Sequence, residues 1–84
     1  MQSPLSREIQ QELLKSLDGS SSLSDFEVWF APIAWSIEDQ GDPEAERLVY
    51  DIELAFAEYS AGMWSLDQLK SELRRLATAT SIPA

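Results

Sequence analysis

The sequence contains no cysteine and no histidine, only three glycines, and only six lysines and arginines in 84 residues. Without cysteine there is no disulfide framework, no thiolate nucleophile and no cysteine-bound zinc; a reducing compartment, and so a cytoplasmic location, is the expectation. Without histidine, acid–base chemistry falls to carboxylates alone, and the Glu-x-x-His pairs of di-iron bundles are missing. The few glycines form neither a Gly-x-Gly-x-x-Gly turn nor a Gly-x-x-x-x-Gly-Lys phosphate cradle, and no serine stands in a Gly-x-Ser-x-Gly elbow. No run approaches the ~20 apolar residues of a membrane-spanning helix, and no basic segment followed by an apolar run opens the chain. These absences point away from an enzyme, a cofactor protein or a membrane protein. They leave binding as the expected function.

Negative charge is abundant, with 15 acidic residues and a net charge of −9. Between Asp25 and Glu58 stand ten carboxylates (Asp25, Glu27, Glu38, Asp39, Asp42, Glu44, Glu46, Asp51, Glu53 and Glu58) against Arg47 alone. Five acidic and five basic residues elsewhere cancel. Such a field repels phosphate backbones and anionic membrane surfaces and steers a basic protein, although a charged surface that only keeps the chain soluble has the same composition. A calcium loop is not expected, because Asp39, Asp42, Glu44 and Glu46 do not supply alternate oxygen ligands around a central glycine. Asp51 and Glu58, a heptad apart on an exposed flank, have no cleft to raise a pKa for catalysis.

The periodicity predicts an all-α, four-helix bundle-like single domain, with helices at about 4–18, 25–38, 43–61 and 66–77 and a flexible tail over 78–84. Ser3 and Pro4 open the first helix, in which Leu5, Ile9, Leu13 and Leu17 recur with Leu14 beside them, and Gly19 closes it. For the second, Ser24 and Glu27 are the expected capping box, with Leu23 stapled onto Val28. Phe26, Trp29, Phe30, Ile33 and Ile37 share its inner side, and Pro32 predicts a kink or break near Ala31. Asp42, Pro43 and Gly62 mark both ends of the central third helix. Ser65 and Gln68 make a second capping box, with Trp64 stapled onto Leu69, and Leu66, Leu69, Leu73, Leu76 and Ala77 line the last helix.

The central helix is apolar on two sides. Ala45, Leu48, Val49, Ile52, Ala55, Phe56 and Tyr59 form a broad core face, while Tyr50, Leu54, Ala57 and Ala61 form a narrower second stripe. The first helix is expected either to cover that stripe or to seed a dimer. Left uncovered, Trp35, Tyr50 and Leu54 would make an aromatic patch ringed by carboxylates, the composition of an interface centre with a charged rim. The candidate partner-binding residues are therefore Trp35, Tyr50 and Leu54 with Glu38, Asp39, Asp42, Glu44 and Glu46. No catalytic, cofactor or metal residue is expected.

The run Leu-Ser-x-Phe-Glu-x-Trp-Phe from Leu23 to Phe30, the acidic loop, the central helix, and Gly-Met-Trp-Ser before a leucine-striped helix resemble the small acidic all-helical bacterial immunity proteins of the colicin D type. The likeness spans about residues 13–77 in pattern. It implies a bundle whose acidic surface occupies the basic, nucleic-acid-binding face of a toxic nuclease, and it assigns no individual residue. Two expectations result: an acidic protein-interaction module, in its specific form an inhibitor or immunity protein for a basic bacterial partner, or a structural or regulatory homo-oligomer whose charge serves solubility.

Overall fold

A computed structural model describes residues 3–79 of the chain. Four α-helices are joined by short connections: α1 (Pro4–Asp18), α2 (Leu23–Ser36), α3 (Pro43–Ser60) and α4 (Leu66–Thr78), with a single 3-10 turn over Ile37–Gln40 between α2 and α3. Among the described residues there is no strand. Most helix ends are specified locally. The Ser3 hydroxyl accepts from the Ser6 amide, Asp42 Oδ1 accepts from the Ala45 amide, and Ser65 with Gln68 completes a reciprocal capping box. At the end of α3, Gly62 takes a φ of +78°, so that the Met63 and Gly62 amides reach back to the Glu58 and Tyr59 carbonyls and stop the helix.

One hydrophobic cluster draws on every helix. Ile9 and Leu13 from α1, Phe26 and Phe30 from α2, Val49 and Ile52 from α3, and Leu69 and Leu73 from α4 are buried in it. Each large aliphatic or aromatic side chain so buried contributes roughly 1.5–3 kcal/mol. The helices do not share the cluster equally. α1 lies against α4 and α2, and α3 lies against α4, but α2 and α3 make no comparable backbone approach. They meet through rings instead: Phe56 of α3 stacks on Phe26 of α2 at 6.4 Å between centroids, and Phe26 in turn stacks at 5.2 Å on Phe30 of its own helix.

The structure corrects several sequence expectations. α2 begins two residues early, because Ser22 rather than Ser24 caps it through the Asp25 amide. Leu23 then packs on the core while Val28 points to solvent, so the expected staple does not form. The helix is continuous past Pro32 and ends after Ser36, where the 3-10 turn begins. A proline deprives the carbonyl four residues earlier of its donor. Here that carbonyl belongs to exposed Val28 on the solvent side, where water can serve it, so the missing bond does not break the helix. α1 does not cover the second stripe of α3. Its buried face is Ser6, Ile9, Leu13 and Ser16, with Leu5 and Leu17 only partly buried, and the two small serines allow close packing on its neighbours. Tyr59 and Leu66, expected inside, are 40% and 43% exposed near the α3–α4 corner. Of the expected flexible tail, Thr78 is the last residue of α4, and residues 80–84 lie outside the described residues.

Candidate functional site

Because α2 and α3 are held apart by their rings, a groove opens between them with a volume of about 690 Å³. Its base is apolar: Phe30 and Ile37 are buried there, with Phe56 and Ala34 half-buried. Ala31 on α2 and Ala57 on α3 are small and exposed on its walls. The rim is polar and of one sign, with Glu27 from α2, Glu38 from the turn and Glu53 from α3, and no lysine or arginine lines the groove. Trp35 and Tyr50 complete the rim near the turn.

The turn end of the groove is organised by one phenol. The Tyr50 hydroxyl lies 2.9 Å from Glu38 Oε1 and 3.2 Å from Glu46 Oε1, and so ties the turn to α3. Donating to Glu38, partial burial and the nearby negative charges of Glu38 and Glu46 all disfavour the tyrosinate. Together they push the Tyr50 pKa up to about 12.

The candidate residues read from the sequence divide into three groups. Trp35, Glu38 and Tyr50 line the groove, and Glu46 joins them through the Tyr50 hydroxyl. Trp35 is 89% exposed and Tyr50 48%, so neither is a core residue. Leu54 is 60% exposed one turn after Tyr50, outside the groove lining, and Asp39 is exposed on the 3-10 turn. Asp42 and Glu44 are engaged within the fold. Asp42 caps α3, and Glu44 Oε2 accepts the Ser3 amide at 2.6 Å at the start of α1, where a carboxylate complements the helix dipole.

Sequence reasoning missed Glu27, Ala31, Ala34, Glu53 and Ser60 as lining residues, and assigned Phe30 and Phe56 to the core without seeing that they floor an opening. One signal was present: α2 carries apolar residues on both sides, with Val28 and Trp35 opposite Phe26 and Phe30. A helix apolar all round needs cover on all sides. A second depression of about 440 Å³, lined by Trp64, Asp67, Gln68, Ser71, Glu72 and Arg75, is a weaker candidate. Its Gln68 is engaged in the capping box and its Arg75 pairs with Glu72. Among the described residues no group of three or more acidic side chains is gathered closely enough to hold a metal ion, and no helix is long and apolar enough to cross a membrane.

Fold and groove together define a small acidic helical domain with an open, apolar-floored cleft. Compared with known proteins, the chain matches no family model, no curated protein and no solved structure.

Proposed function

We propose that this chain is an acidic protein-interaction module that binds a basic protein partner through the α2–α3 groove. The observation that carries the reading is the pairing of an open groove, whose accessible apolar surface comes from Trp35, Ala31, Ala57 and half-buried Phe56, with a rim of Glu27, Glu38 and Glu53 that includes no cation. Accessible apolar area in the groove supplies affinity, and a rim of one sign supplies steering and selects against acidic partners. Inhibition of a basic bacterial protein such as a toxic nuclease is the specific form that the sequence resemblance suggests, and the charge of the groove is compatible with it.

The experiment is affinity capture from the native host at low and at moderate salt, with the wild-type chain beside a Glu27→Lys/Glu38→Lys/Glu53→Lys variant. A basic protein retained at low salt, released as salt rises and lost with the variant is the expected result. Retention of the same proteins by wild type and variant alike would refute the groove as the binding surface.

A second reading, a homo-oligomer, is favoured by one observation: Val28 and Trp35 are 76% and 89% exposed on the outer face of α2. Symmetric pairing of that face would gather the carboxylates of two copies at one seam. Sedimentation at several concentrations decides, since a monomer throughout removes this reading.

A further inference from the structure

The groove has features that select the form of what fills it, and we infer that its occupant is a cationic amphipathic α-helix of the partner protein. The helix lies between α2 and α3, with its apolar side on half-buried Phe56 and Ala34 and exposed Trp35, and its lysines or arginines against Glu27, Glu38 and Glu53. This rests on the reading of the chain as an acidic interaction module and adds the shape of the ligand and its seat.

Three observations lead there. First, the walls are helices that each carry a small exposed residue between the larger rim side chains, Ala31 on α2 and Ala57 on α3. Small side chains on both walls let a third helix approach to the ~8–10 Å at which helices pack. The α3 wall runs from Tyr50 to Ser60, about 15 Å at ~1.5 Å per residue, which matches about three turns with anchors at i, i+3 or i+4, and i+7. Second, the groove offers an extended peptide little to bond with. The described residues contain no strand and hence no open sheet edge, so an extended segment lying on the apolar floor would bury amides and carbonyls without partners. A helix satisfies those groups internally. Third, the charge separates the two helical occupants that would otherwise fit. A second copy presenting α2 or α3 would bring more carboxylates against Glu27, Glu38 and Glu53, whereas a lysine- or arginine-bearing helix neutralises them.

The test uses the full chain, isotope-labelled for amide spectra, and three synthetic peptides of about 18 residues, long enough for helicity. One peptide places leucines at i, i+3, i+4 and i+7 with lysines between. The second has the same composition with leucine and lysine alternating. The third is the helical pattern with glutamate for lysine. The expected result is that the first binds at least about tenfold tighter than either other, with amide shifts concentrated at Ala34, Phe56 and Ala57. Ala57→Arg, at an exposed position, is expected to weaken that binding about tenfold and leave the melting midpoint in place. Should the arginine disturb folding, Glu53→Gln reads the same site through a smaller loss and a shallower salt dependence.

Equal affinity for the two lysine peptides, or shifts centred away from the groove, would overturn the helix assignment while leaving an acidic interaction surface standing. Failure of both lysine peptides to bind would remove the assignment and the acidic-module reading together. Self-association of the unliganded chain that Ala57→Arg abolishes would assign the groove to a second copy instead.

Discussion

The two halves of this domain are built to opposite specifications. On the α1–α4 side the helices close on each other: Ile9, Leu13, Leu69 and Leu73 are fully buried, and the Gln10 amide of α1 donates to the Leu76 and Ala79 carbonyls at the end of α4. Both ion pairs of the described residues, Lys15 with Glu12 and Arg75 with Glu72, are on this side. On the α2–α3 side the helices stand apart. Large apolar side chains remain outside, and among the described residues none of the ten carboxylates from Asp25 to Glu58 forms an ion pair. Surface pairs of the α1–α4 kind add little stability each, so their significance is that this side is neutral while the other is not. The closed, neutral seam and the open, acidic groove thus lie on different sides of the domain, and on the proposed function the groove rim can change without loosening the seam.

Leu73→Ala is the largest expected breach of that division. It opens a cavity in the α1–α4 seam and should cost about 2–5 kcal/mol in urea unfolding; a cost below about 1 kcal/mol would show that the seam is not the stabilising half. Trp35→Ala tests the other side. Folding stability should stay within about 0.5 kcal/mol of wild type, while binding of the leucine–lysine helical peptide weakens by about 2 kcal/mol or more. A large stability loss with unchanged binding would reverse the comparison. Ser65→Ala, removing one cap of α4, should cost about 1 kcal/mol in thermal unfolding.

The smallest effect is expected at Tyr50. Its folded-state pKa lies above the ordinary tyrosine value of 10.0, so the hydroxyl's stabilising tie to the turn is fully present below pH 10 and is lost as pH rises toward about 12. Tyr50→Phe should remove a tyrosinate absorbance step near pH 12 and flatten the alkaline fall in stability. An unchanged titration would mean that the phenol is not held by Glu38 and Glu46.

Much of the fold was legible because helix ends are local chemistry. Asp42, Pro43, Gly62, Ser65 and Gln68 act within a turn of where they stand, and each does what its residue type predicts. α2 was harder to read because Ser22-x-x-Asp25 and Ser24-x-x-Glu27 present nearly the same cap two residues apart. The choice between them is made by Leu23, which packs against the core once it lies inside the helix. The exposed pair Trp35 and Tyr50 could be named from periodicity, since they fall off the core faces. The groove itself could not be read. Periodicity reports that a face is apolar but not whether a neighbour reaches it, and α1 packs against α4 and α2 for a reason that lies in three-dimensional fit.

The bond from Gln10 to the end of α4 also bears on the order of events during synthesis, because its partners are separated by 66 and 69 residues. Translation delivers α1, α2 and α3 before the helix that closes the seam exists, at about 5–20 residues per second, so for some seconds the aromatic face of α2 and the core face of α3 lack their full cover. The negative charge of that segment should then keep nascent chains apart by mutual repulsion, an effect that needs no partner. Chains halted after Trp64 should accordingly show no cooperative melting yet stay dispersed, and neutralising Glu27, Glu38 and Glu53 to glutamine should make those halted chains aggregate while the finished protein remains soluble.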